Sequence, residues 1–284
     1  SIPPPSSDEV LSIPEYLPTF LQRLQSSPYF MRLIGPIQQL KEEELLEIAN
    51  RITESSLLLC SDGSFHPHRG IGSHAWIFAT PEGEIILRGA GPIDCNPISL
   101  SSYRPELGGM AAVLYMLMTI VQVFEVKTGT VTLYCDNKSA LDNTFDTTLR
   151  RGIYPLLATD YDLLILLKDI LSMLPIKVLG RHVKGHYQGD ERRVEHDLNS
   201  LADTLAEQFR LHPPKGYEPT QFPLFHKAHI AAAYIEGSMI TSKLKLQVYA
   251  RRYQKELAQT ICKRNRWTAV IFSRIDWNIF GKVF

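Results

Sequence analysis

The sequence predicts an α/β fold in which three consecutive strands precede helices that alternate with two further strands. Three observations carry this expectation. Short apolar runs separated by turn residues fill the stretch from residue 57 to 90, a long helical pattern begins at Pro105, and strand-like and helical runs alternate from there to residue 210. The element order is βββαβαβα, with an additional helical segment before the fifth strand.

Residues 1–20 contain Pro3, Pro4, Pro5, Pro14 and Pro18, which deny the backbone regular hydrogen bonding, so this stretch reads as an extended arm. From Lys41 to Thr53 the apolar residues Leu45, Ile48, Ala49 and Ile52 share one face of a helix, with Glu43, Glu47 and Asn50 opposite. Leu57 to Cys60 is a continuous apolar run, as in a central strand buried on both faces. Arg69-Gly70-Ile71-Gly72 turns into a second strand, Ser73 to Thr80, and Pro81-Glu82-Gly83 into a third, Glu84 to Ala90, all three expected to be antiparallel. Pro105 stands where a first helical turn tolerates proline, and the helix to Phe124 is apolar nearly all round and therefore buried. Val131 to Cys135 is a strand, and Lys138 to Asn143 a short helix. Asp160 to Leu174 is a helix with Leu163, Leu167, Ile170 and Leu174 inward, and Ile176 to Val183 is a strand. Val194 to Arg210 is the last helix of the pattern, with Leu198, Leu201, Leu205 and Phe209 inward.

Composition narrows function little. The 284 residues are 44% hydrophobic and 21% charged, as in an ordinary globular chain, and 30 basic residues balance 30 acidic ones, so nucleic-acid binding would have to use local patches. Cys60, Cys95, Cys135 and Cys262 form no CxxC pair, which argues against a disulfide framework or zinc ribbon and fits a reducing, intracellular setting, nuclear or cytoplasmic. The longest apolar run, Met110 to Val121 broken by Thr119, is shorter than the roughly 20 residues of a membrane span, so no membrane partner is expected. The N-terminus lacks a secretory signal pattern, and its opening Ser is consistent with a fragment of a longer chain. A Pro-rich stretch, His212 to Pro223, marks a boundary. Beyond it, Leu246, Tyr249, Tyr253, Leu257 and Ile261 line one face of a basic helix, suited either to phosphate contacts or to packing on a partner.

Four acids stand out by position. Asp62 ends the first strand in Cys-Ser-Asp-Gly-Ser, Glu106 opens the long helix in Tyr-Arg-Pro-Glu-Leu, Asp136 ends the fourth strand in Tyr-Cys-Asp-Asn, and Asp203 lies in Leu-Ala-Asp-Thr-Leu-Ala. Carboxylates at the ends of core elements call for a cation or hydrogen-bond donors, because burying one alone costs roughly several kcal/mol. Hard divalent ions suit such oxygen ligands.

On these residues the chain resembles the ribonuclease H type 1 family over about 155 residues, Leu57 to Leu211. That family carries catalytic acids in the order Asp, Glu, Asp, Asp on this order of elements, with a loop histidine before the last. Asp62, Glu106, Asp136 and Asp203 match the acids and His186, in His-Val-Lys-Gly-His, the histidine. The resemblance implies a ribonuclease-H-like mixed five-stranded sheet, three antiparallel strands then parallel ones, flanked by helices. It divides the chain into an N-terminal arm and helix (1–54), the nuclease domain (55–211), and a linker with a basic helical extension (212–284). It implies hydrolysis of the RNA strand of an RNA/DNA hybrid with two Mg²⁺ ions, or Mn²⁺, bound by the four acids about 3.5 to 4 Å apart. His186 would assist water entry or product release. Gly63, Ser64 and Asn137 would contact the substrate, and the ribose 2′-hydroxyl would mark the strand to be cut. Two departures from the family are Asn137, where serine is common, and a longer stretch between His186 and Asp203. The tail from Trp267 to Phe284, with Ile275-Asp276-Trp277, resembles the ends of retroelement polyproteins, which would make a reverse transcriptase region of the same polyprotein a partner. The competing function is a ribonuclease-H-like module without activity that binds nucleic acid or braces a polyprotein.

Overall fold

The computed structural model describes residues 16–37, 40–95, 100–146, 159–187, 189, 191, 193–220, 233–235, 238–242 and 244–273. At its centre, Leu57–His66 forms β1, longer than the apolar run because Ser61–His66 continue to pair with the next strand. β2 (Ile71–Ala79) and β3 (Ile85–Ile93) extend the sheet antiparallel on one side, while β4 (Thr130–Cys135) and β5 (Lys177–His182) lie parallel on the other. The order is β3-β2-β1-β4-β5. This mixed sheet, flanked by helices, is the ribonuclease-H-like architecture that the resemblance implied.

Parallel neighbours need crossovers, and helices supply them. α4 (Tyr103–Val123) joins β3 to β4, α5 (Lys138–Phe145) and α6 (Tyr161–Met173) join β4 to β5, and α7 (Val194–Leu211) follows β5. One sheet face buries Leu57, Leu59, Trp76 and Phe78 against α4, and the other buries Cys60, Ala75 and Ile77 against Leu198, Ala202 and Ala206 of α7. Among the described residues α4 is the one helix long and apolar enough to cross a membrane, yet 89% of its most apolar window is buried inside the protein. Here it is a core helix.

The expected N-terminal arm needs correction from residue 16 onward. α1 (Tyr16–Gln25) and α2 (Pro28–Ile34) precede α3 (Glu42–Thr53), and only residues 1–15 of the arm lie outside the described residues. Proline misled because Pro18 lies in the first turn of α1, where a missing N–H breaks no helical bond, as Pro28 does in α2. Ser27 caps α2 by accepting from the Phe30 amide. Phe20, Leu24, Phe30, Ile34, Leu45 and Ile48 join the same core as the sheet. His74 and Trp76, on one face of β2, donate to the terminal carbonyls of α2 at Leu33 (2.8 Å) and Ile34 (2.9 Å). Burial holds His74 neutral by lowering its pKa to about 4, so this lock is unaffected by ordinary pH.

After α7 the chain returns to the α2 side. Arg32 pairs with Asp94 and donates to the carbonyls of Gly216 and Glu218, and Thr220 accepts from the Cys95 amide. A short hairpin of β6 (Ala233–Ile235) and β7 (Ser238–Ile240) precedes α8 (Leu244–Asn265) and α9 (Ala269–Ser273). The remainder of the Pro-rich stretch, 221–223, and the tail from 274, including Ile275-Asp276-Trp277, lie outside the described residues.

Candidate active site

Strand register sets the first two acids level. Cys60 stands beside Tyr134 in the parallel β1–β4 pair, so two residues further on Asp62 stands beside Asp136, just past the end of β4. Glu106 comes from the first turn of α4, and β1 passes close against that turn at Gly63. A Cβ there would lie 2.6 Å from Pro105 Cβ and 2.7 Å from the Glu106 nitrogen, so glycine is what lets strand and helix end meet. Asp203 reaches in from α7. Facing ligand atoms of Glu106, Cys135 and Asp136 lie within 4.8 Å of one another.

Burial and mutual repulsion raise the proton affinity of Asp62, Glu106 and Asp136. The Asp62 carboxyl, 4% exposed, is pushed up to about 8, first by burial and then by the charges of Asp136 and Asp203. Glu106 is held well above the usual carboxylate range by burial, Asp62 and Asp136 in that order. Asp136 is raised by burial, against which a hydrogen bond from Asn199 acts. Among the described residues no lysine or arginine forms an ion pair with any of the four acids. The oxygen donors of Glu106 and Asp136, unpaired with any described lysine or arginine, suit a hard divalent ion, while Asp62 and Asp203 stand outside this closest group.

Asn199 is the site residue that sequence reasoning missed. It is buried on α7 one turn before Asp203, donates from Nδ2 to Asp62 Oδ2 (3.2 Å), and its Oδ1 faces the Cys60 thiol at 4.0 Å. The available signal was an amide four residues from an acid on a helix whose neighbours Leu198 and Ala202 point inward.

Comparison with known proteins gives structural likeness only. No protein-family model and no curated protein matches the chain. Solved ribonucleases H are similar to about half of it. The RNase H1 of the halophilic archaeon Halobacterium salinarum is similar over 54% of this chain and 95% of its own, at 18% identity and a TM-score of 0.36. LC11-RNase H1, solved in complex with an RNA/DNA hybrid, is similar over 54% and 94%, at 11% identity and 0.40. The N-terminal RNase H domain of a Mycobacterium tuberculosis protein is similar over 54% and 91%, at 13% identity and 0.34.

The remaining expected site residues occupy distinct places. His186 sits on the rim with φ +48° and a side chain 84% exposed, its Nδ1 3.9 Å from Asp203 Oδ2. Gly185 before it presses so closely on the site that a Cβ would meet Asp136 Oδ2 at 2.4 Å. His182, at the end of β5, bonds the Asp136 carbonyl at 2.9 Å. The Gly63 amide donates to its neighbour Asp62, and Ser64 Oγ accepts from Arg210 Nε (2.9 Å). Asn137 caps α5, its Oδ1 accepting from the Ala140 amide (3.0 Å).

Proposed function

We propose that this chain hydrolyses the RNA strand of RNA/DNA hybrids as a type 1 ribonuclease H, with two divalent ions held by Asp62, Glu106, Asp136 and Asp203. The observation that carries this reading is the meeting of Glu106 and Asp136, whose ligand atoms lie within 4.8 Å of each other and of Cys135, with the charges of Asp62 and Asp203 acting on Glu106 and no lysine or arginine among the described residues paired to any of the four acids. The oxygen donor set favours Mg²⁺, with Mn²⁺ as the alternative. When bound, such ions supply Lewis-acid polarisation of the phosphodiester and a water nucleophile effective near neutral pH.

The chain's own residues do the positioning. Asp62 and Glu106, fixed by burial, would help hold such an ion, and binding it would displace any proton they carry. Asp203 and His186 line the exposed side, where a phosphate can approach, and His186 can hold or pass a proton at Nδ1. Asn137 has Oδ1 committed to capping, which assigns Nδ2 as the donor toward a ribose 2′-hydroxyl. A retroelement origin, with a reverse transcriptase region as partner, rests on the sequence of the tail alone.

The test is cleavage of a labelled RNA/DNA hybrid in Mg²⁺, run beside single-stranded RNA, duplex DNA and an Asp136→Asn variant. Cutting confined to the hybrid and lost in the variant is expected. A folded protein that leaves the hybrid intact in both Mg²⁺ and Mn²⁺ would overturn the enzyme reading in favour of a binding module.

A further inference from the structure

Away from the acid site, the strongest unassigned surface is α8. Its 22 residues carry Lys245, Arg251, Arg252, Lys255, Lys263 and Arg264 against the single acid Glu256, and Arg266 follows, in a chain whose formal net charge is zero. The charge is therefore concentrated in one element. Where side chains are described, Arg252, Lys263, Arg264 and Arg266 are exposed, and none forms an ion pair with a described acid. Tyr253, 43% exposed, lies beneath Arg252, whose Cζ is 5.5 Å from the ring centroid, and Val248 is 49% exposed. A helix using these side chains to pack on its own domain would bury them.

We propose that α8 is a second nucleic-acid contact that grips the phosphate backbone of the hybrid without metal and without sequence preference. This rests on the nuclease reading for the identity of the ligand. Arg252 and Lys263 are eleven residues apart, about 16 Å along the helix, and a duplex presents roughly one negative charge per 1.7 Å of axis, so the exposed Arg252, Lys263, Arg264 and Arg266 reach more than one phosphate. Arginine suits this role because its planar fork matches phosphate oxygens in pairs, and Arg252 is steadied by the Tyr253 ring, 5.5 Å from its Cζ. A membrane surface is the poorer fit, since Gln247, Gln254, Gln259 and Thr260 dilute the apolar content that an interfacial helix requires. In function, α8 would keep the hybrid bound between cuts while the acid site engages and releases single phosphates.

The test uses the full chain carrying Asp136→Asn, so that nothing is cut, and fluorescence anisotropy of a labelled RNA/DNA hybrid in EDTA. A second chain adds Arg252→Ser, Lys263→Ser, Arg264→Ser and Arg266→Ser, with circular dichroism and thermal melting to confirm an unchanged fold. The four changes are expected to weaken binding at least about tenfold and to flatten the slope of log K against log salt by about 2 to 4, at about 0.9 per phosphate contact. In the active background the same changes should raise KM and leave kcat unchanged. Equal affinity and equal slope in the two chains would overturn the proposal. So would loss of binding to phosphatidylserine vesicles while hybrid binding persists. If the unmodified chain fails to cut yet shows α8-dependent binding, the nuclease reading falls and this one stands.

Discussion

Arg104 and Glu106 stand two residues apart in the first turn of α4, and each meets a pair of aspartates under cover of the core. Arg104 donates to Asp160 (2.9 Å) and, through both terminal nitrogens, to Asp162 (2.8 and 2.7 Å), with all three residues buried. Glu106 meets Asp62 and Asp136, with only the Cys135 thiol 3.7 Å from its Oε2. Asp62 and Glu106 are buried as Asp160 and Asp162 are, Asp136 is half-buried, and the compensation is opposite. A guanidinium pairs with both acids of the first cluster within the protein and makes it part of the scaffold, whereas the second has no such partner among the described residues and would hold protons or recruit a cation from solution. Buried acids with a built-in partner mark structure, and buried acids without one mark a site.

This contrast is most exposed to failure at Arg104. Arg104→Ala takes the guanidinium away from two aspartates in the core and is expected to cost about 3–5 kcal/mol in urea unfolding; a loss below about 1 kcal/mol would show that the cluster is not the brace described. Next in size, saturating Mg²⁺ should stabilise the wild-type fold, by about 2.7 kcal/mol at a hundred times its Kd. Asp62→Asn and Asp136→Asn should abolish that gain. Thermal melts indifferent to Mg²⁺ and Mn²⁺ would erase the difference between the clusters.

Asn199 sharpens the comparison from within the site. Asn199→Ala removes the donor shared by Asp62 and Asp136 and should weaken metal binding about 10–100-fold, read by calorimetry, as loss of an outer partner usually does. Unchanged affinity would reduce Asn199 to a packing residue.

The smallest expected effect is on pH. Because the folded pKa of Asp62 lies above its unfolded value, near 8 against 3.8, the metal-free native state holds the extra proton between them. Stability in EDTA should therefore fall as pH rises from about 4 to 8 and level off above. Asp62→Asn should flatten that decline and, at pH 8, raise metal-free stability by at least about 1.4 kcal/mol, the worth of one pKa unit. A metal-free stability that rises over this range would contradict the crowding of acids described here.

How much could be read in advance varied with the range of the forces involved. The periodicity of Leu45, Ile48, Ala49 and Ile52 located α3, and the turns at Gly70 and Gly83 separated β1, β2 and β3. Both are local patterns. α1 was hidden because Pro18 reads as a breaker unless the helix start is already known, and α2, seven residues long, is too short for a periodic pattern to mark it. Asn199 was hidden because an amide on a helix is polar surface by default, and Asp160 and Asp162 were hidden because their partner lies 56 and 58 residues away.

The sequence by itself determined the order of the elements and the presence of four acids at the ends of apolar ones, since hydrophobic period, turn chemistry and chain position are all written locally. Only the tertiary structure decided which acids are neutralised from within and which are left to a cation. Asp62 comes beside Asp136 and Glu106 through the register of β1 on β4 and the approach of α4 at Gly63, while Asp162 becomes a brace through the reach of Arg104. Charge interactions in the low dielectric of a core depend on separations of a few ångströms, and those separations are set by packing rather than by the residues taken in order.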